Sequence, residues 1–155
     1  MSRIYVTKGG RQAVGALIKT WAGADVRLLH DDDGAPLLAG SPLHISISHS
    51  RNYAAIMLDA SARCGIDIEE PRLDQLSRVR TKFLTPAELA AGVDLLSAWT
   101  AKEAVFKAAG TPGLATSMID TLSVEGMALL PDGRRFRLQT VVTPEYTLTA
   151  ALPDV

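Results

Sequence analysis

The feature that most limits what this chain can fold into is a change in its hydrophobic period partway along. Before Pro71 the apolar residues come in short strand-like runs. Leu43, Ile45 and Ile47 alternate with His44, Ser46 and Ser48, and "YAAIMLD" and then "CGIDIEE" follow. Alternate residues of a strand point to opposite faces, so this pattern predicts extended chain. From Leu73 to Gly110 the spacing becomes helical, and beyond Gly110 strand-like runs return in "TLSVEGMALL", "RRFRLQTVV" and "YTLTAALP". Strands, then helices, then strands argue against a regular alternating βαβ chain and predict an α+β fold.

Punctuation residues set the expected boundaries. "SRIYVT" reads as a strand broken by "KGG", and "RQAVGALIKTWAG" as a short helix closed by Gly23. "VRLLHDDDGAPLLAG" predicts a hairpin, because two apolar runs flank an Asp-Asp-Gly turn. In the helical block, "LDQLSRVRTKFL" is followed by a helix opening at Pro86 with Glu88 in its first turn, and "DLLSAWTAKEAVFKAAG" gives a third helix. At 155 residues and 47% hydrophobic content the chain can build one domain with a real core. Sixteen basic against seventeen acidic side chains give a net charge of -1, which excludes the broad basic surface of a nucleic-acid binder. A single cysteine, Cys64, cannot form an internal disulfide. With no leader-like start and no apolar run long enough to span a bilayer, a cytoplasmic protein that does not engage membranes is expected.

Three groups of residues can carry chemistry. Asp67 and Glu69 lie two apart in a strand and share a face, with Ile66 and Ile68 on the other. Carboxylates that close repel unless water, a proton or a cation lies between them. Their face is either wet or holds something positive. Trp99, Glu103 and Lys107, four apart, form one helical stripe. Glu103 and Lys107 also satisfy an ordinary i,i+4 surface pair, and both accounts stand on the residues alone. Lys102 beside Glu103 places a second cation in the same segment. Asp67, Glu69 and Glu103 together would suit a hard divalent cation such as Mg²⁺, which takes oxygen ligands and shares its shell with phosphate. The cysteine and three histidines lack zinc-ligand spacing. Finally, Ser46, Ser48 and Ser50 around His49 could donate to an anion, although a serine-rich strand end also reads as a turn. A serine-hydrolase elbow is absent.

Taken in order, "ISISHS", "CGIDIEE", "FLTPAE" and "WTAKEAVFKAAG" resemble the 4'-phosphopantetheinyl transferases, and the longer type that activates surfactin synthetase most of all. The match extends from about Arg11 to the end of the chain. It implies a single domain over residues 1–155, a pseudo-dimer of two related α+β halves at about 1–62 and 63–155, with coenzyme A between them. The implied activity moves the phosphopantetheine arm of coenzyme A onto a serine of an acyl or peptidyl carrier protein, with Mg²⁺, releasing adenosine 3',5'-bisphosphate. Carried onto this sequence, Asp67, Glu69 and Glu103 match magnesium ligands, and Ser48, His49 and Lys107 match residues holding coenzyme A phosphates. Gly34 to Pro36 match the turn beside the adenine, Arg11 falls on a basic position, and Lys102 would add charge to the site. Glu103 is the expected general base, with Glu88 second, and Lys107 the expected stabiliser of the transition state.

The sequence departs from the family in three places. The amino-terminal half is short, Ala35 stands where a basic residue is common, and the stretch from Ala90 to Ala98 is brief. These departures motivate an alternative, a weak homologue that binds coenzyme A or a carrier protein without transfer. One chain supplies the whole implied site, so a monomer is expected, with a dimer as the alternative.

Overall fold

Two antiparallel sheets repeat one connection, in which the first strand pairs with the last and the last with the strand before it. The computed structural model describes residues 2–155. In the first sheet β1 (Ser2–Lys8) leads through a 3₁₀ turn at Gly10–Ala13 into α1 (Val14–Trp21). The hairpin of β2 (Arg27–His30) and β3 (Pro36–Ala39) follows, then β4 (His44–His49) and β5 (Tyr53–Asp59). The strand order is β1-β5-β4. The second sheet begins with β6 (Gly65–Glu69), continues through α2 (Leu73–Phe83), α3 (Pro86–Ala91) and α4 (Leu95–Ala109), and closes with β7 (Met127–Leu129), β8 (Arg135–Val142) and β9 (Thr147–Pro153). Its order is β6-β9-β8-β7. The α+β expectation holds.

Strand β5 explains its own uninterrupted apolar sequence, because both of its faces are covered. Ala54, Ile56 and Leu58 pack with Val14, Leu17 and Ile18 of α1. Ala55 and Met57 point the other way, into a cluster with Ile66, Ile68, Leu148 and Ala150. The second sheet receives α4 on its opposite face, where Ala104, Val105 and Ala108 meet Ala128, Phe136 and Ala151. Small residues on α4 let the helix come close. At Gly65 the approach is so tight that a Cβ would lie 1.8 Å from the Ala104 carbonyl oxygen, so only glycine fits.

Strands β4 and β6 bring the two sheets together without a backbone ladder. The hydroxyl of Ser46 accepts from the Ile66 amide at 3.0 Å, and that of Ser48 accepts from the Ile68 amide at 3.0 Å. The two serines of "HISIS" thus close an edge that would otherwise leave buried amides unpaired.

Two elements differ from expectation. The first helix opens as a 3₁₀ turn and is α-helical only from Val14. Of "TLSVEGMALL" only Met127–Leu129 is strand. Asp120 accepts from the amides of Leu122 and Ser123, folding the preceding residues into a turn, and Gly126 has a positive φ of 71°.

Candidate active site

The strand β6 and the helix α4 place the expected acids side by side. Ile66 and Ile68 face the core, so Asp67 and Glu69 face α4, where Trp99, Glu103 and Lys107 form the half-buried stripe. Asp67 is buried, and its Oδ1 accepts from Ser48 Oγ at 3.2 Å and from Lys107 Nζ at 3.4 Å. Its Oδ2 is buried with no hydrogen-bond partner. Burial pushes the Asp67 carboxyl up to about 7; Lys107 opposes the rise, while the Glu69 and Glu103 carboxylates add to it. Glu103 is raised as well, by burial first, with Glu69 adding to the rise against Lys107 and Arg72. The three acids therefore sense one another electrostatically.

Glu69 is held from two sides. Trp99 donates its indole N–H to Oε1 at 3.2 Å, and Arg72 Nε lies 3.3 Å from Oε2. The Arg72 guanidinium also lies over the Trp99 ring, 5.1 Å from its centre, and Phe83 meets that ring edge-on. As they stand, no group of three His, Cys, Asp or Glu side chains among the described residues is gathered tightly enough to hold a metal ion. The donor set nevertheless fits a hard divalent cation. Three carboxylates share one region, two of them are raised by burial first with neighbouring carboxylates adding, and one oxygen lacks any partner.

Lys107 links the acids to a cleft of about 1190 Å³, which opens between the β2–β3 hairpin, β4 and the carboxyl end of α4. That space suffices for a nucleotide-sized ligand. Of the sequence-selected binding residues, Arg11, Gly34, Pro36, His49 and Lys107 line it. Asp31 shapes the turn before Pro36, since its carboxylate accepts from the amides of Asp33 and Ala35. Asp67, Glu69 and Glu103 are not among the lining residues, and Asp67 adjoins the lining through Lys107 at 3.4 Å.

Two expectations need correction. Lys102 does not reach the cleft. It is wholly buried, pairs with Glu88 at 2.6 Å, and donates to the carbonyls of Thr116 and Ile119. Consecutive helical residues do not share a face, so its adjacency to Glu103 in sequence carried no adjacency in space. Glu88 is equally unsuited to act as a base. It closes a capping box with Thr85, and its other oxygen accepts from the Thr121 amide and hydroxyl. Burial acts to raise Glu88, but hydrogen bonds from Lys102, Thr121 and Thr85 outweigh it and hold the carboxyl below its usual range. Ser48 stands at the acid end of the site, where its hydroxyl donates to Asp67 at 3.2 Å and accepts from the Ile68 amide at 3.0 Å.

Sequence reasoning missed Arg63 and Arg72. Arg63 lines the cleft and donates from Nε to the Lys107 carbonyl at 2.9 Å. Neither arginine stands in a pattern that separates it from a solvated surface cation.

A model of the 4'-phosphopantetheinyl transferase superfamily matches residues 63–139, the segment that carries β6, α4 and all three acids. No curated protein matches the chain significantly.

Proposed function

We propose that the protein transfers the 4'-phosphopantetheine arm of coenzyme A to a serine hydroxyl of an acyl or peptidyl carrier protein, in a Mg²⁺-dependent reaction that releases adenosine 3',5'-bisphosphate. The observation that carries the reading is the joining of an acid group to a large cleft through one lysine. Lys107 Nζ lies 3.4 Å from Asp67, which senses the Glu69 and Glu103 carboxylates, and Lys107 also lines the cleft. These acids would hold the metal, which supplies charge neutralisation at the pyrophosphate being cleaved. Arg11, His49 and Lys107 would bind the phosphates of coenzyme A, with the turn from Gly34 to Pro36 beside the base.

Glu103 is the proposed general base, acting directly or through a metal-bound water. Its raised pKa brings it nearer the operating pH, as proton transfer from a serine hydroxyl requires. The ammonium of Lys107 would offset negative charge that develops on the phosphate oxygens. The shared strand order of the two sheets supports a pseudo-repeat of halves over about 1–62 and 63–155, with the cleft between them. One chain would then hold a whole site as a monomer in the cytoplasm.

A second reading, a homologue that binds without transferring, is favoured by one contact set. Lys107 already donates to the carbonyls of Ile47 and Ile66 and to Asp67. The test is mass spectrometry of an apo carrier protein incubated with this protein, coenzyme A and Mg²⁺, beside a magnesium-free control and the Glu103→Gln variant. A Mg²⁺-dependent gain of one phosphopantetheine arm, lost in the variant, is expected. Coenzyme A binding without any gain across several carriers would replace transfer with the second reading.

A further inference from the structure

We propose that Arg63 is a phosphate-binding residue of the cleft, a role that rests on the coenzyme A reading and extends it to a side chain outside the acid strand and the lysine helix. Arg63 lies just ahead of β6 and lines the cleft beside Phe106, Lys107 and Gly110. Its Nε–H donates to the Lys107 carbonyl at 2.9 Å, which fixes the side chain at the carboxyl end of α4, where the helix dipole favours a cation. Gly110, at a φ of +60°, makes room for it. A Cβ there would lie 2.7 Å from the guanidinium carbon and from Nη1.

Helix capping accounts for only one of the five guanidinium N–H donors. No described residue accepts from the terminal nitrogens of Arg63. Arg134, at the same end of α4, shows what a purely structural arginine looks like here. Its Nε pairs with Asp132 at 2.8 Å, Nη1 donates to the Ala109 carbonyl at 3.0 Å, and Nη2 donates to Thr111 Oγ1 at 2.7 Å. Arg63 is anchored through one nitrogen and keeps its fork for something else. A planar fork with two free terminal nitrogens matches a phosphate group, and the same cleft wall carries the cations Lys107 and Arg11.

The test is calorimetric titration of the full chain and of Arg63→Ala and Arg63→Lys with coenzyme A and with dephospho-coenzyme A, alongside ligand-free thermal melts. Arg63→Ala should weaken coenzyme A binding roughly tenfold or more, the loss expected of a charged hydrogen bond. Arg63→Lys, which keeps the charge and loses the fork, should recover only part. An equal loss for both ligands assigns the fork to the pyrophosphate, and a loss confined to coenzyme A assigns it to the 3'-phosphate. A lowered melting temperature with unchanged affinity would reduce Arg63 to a helix cap. Should the alanine variant fail to fold, unchanged affinity in Arg63→Lys overturns the role equally. No binding of either ligand by the unsubstituted protein would overturn the coenzyme A reading itself, and this role with it.

Discussion

Lys107, on the last turn of α4, donates its ammonium to the carbonyl oxygen of Ile47 on β4 at 3.1 Å, so a helix packed on one sheet is tied to a strand of the other. The same nitrogen reaches the Ile66 carbonyl on β6 at 2.8 Å. Ser46 and Ser48 satisfy the β6 amides from the β4 side. The seam between the sheets is thus closed by side chains, with hydroxyls accepting and one ammonium donating. Asp67 faces the end of that seam, and the charge that closes the fold is the one paired with Asp67.

Replacing Lys107 by methionine keeps most of the stem and removes all three donated bonds. Carrier loading should fall by about 100-fold or more, the usual range for losing one preorganised electrostatic group. The fold should weaken at the same time, since the Ile47 and Ile66 carbonyls lose a partner. Rates of phosphopantetheine incorporation and urea denaturation measure the two effects separately. Full activity in this variant would remove Lys107 from the reaction.

Burial gives Asp67 a distinct pH signature. Its folded pKa of about 7 lies above the usual 3.8 of an aspartate in the unfolded chain. Between those values the unfolded chain has released a proton that the folded chain keeps. The stability from this group is therefore full below 3.8 and is lost as pH rises toward 7. In a chelating buffer, the stability difference between the wild type and Asp67→Asn should change in favour of the variant across this window. Urea denaturation at a series of pH values gives the difference directly. A pH-independent gap would mean that Asp67 remains ionised throughout.

The alternation of "HISISH" and the apolar run of β5 were readable because strand period and two-sided burial are local patterns. The shared face of Asp67 and Glu69 followed from the same period. Other features depend on which elements meet. The Ser46 and Ser48 hydroxyls serve β6 only because β4 lies beside it, and no spacing within β4 reveals that neighbour. Lys102 was misplaced for a related reason. Sequence adjacency to Glu103 suggested a common site, whereas the helix turns Lys102 toward Glu88 and the segment from Thr116 to Ile119.

The Lys102–Glu88 pair belongs to stability rather than to the reaction. Both side chains are fully buried, so removing one leaves the other as an uncompensated charge. Lys102→Met should destabilise the protein by about 3–5 kcal/mol. The double variant Lys102→Met/Glu88→Met should recover a substantial part of that loss, because the isolated charge is gone even though the capping box is broken. Chemical denaturation of the two singles and the double completes the cycle. Additive losses would show that the pair is not coupled.

Gly65 tests whether the close approach of α4 is what assembles the site. Its Cβ in an alanine variant would fall 1.8 Å from the Ala104 oxygen, and the nearest atoms are all α4 backbone, so no side chain is free to yield. Relief requires α4 to move off β6, which carries Glu103 and Lys107 away from Asp67. Overpacking of this kind costs typically about 1–3 kcal/mol and sometimes more. Gly65→Ala should lower the melting temperature clearly and reduce carrier loading even at temperatures where it remains folded. Wild-type activity in a destabilised Gly65→Ala would separate the packing of α4 from the chemistry.

Trp99 offers a gentler perturbation. Its indole N–H holds Glu69 Oε1 at 3.2 Å, and its ring packs against Phe83 and under Arg72. Trp99→Phe retains an aromatic surface and deletes the hydrogen bond. If Glu69 is a metal ligand, loss of this orienting contact should raise the Mg²⁺ concentration needed for half-maximal carrier loading by roughly 10- to 100-fold, the range seen for groups that orient metal ligands. The rate at saturating Mg²⁺ should change far less, because the ligand itself remains. Magnesium titration of the loading reaction reads both quantities. An unchanged midpoint with a reduced maximal rate would instead place Trp99 in the packing of α4 and leave Glu69 to be oriented by Arg72 alone.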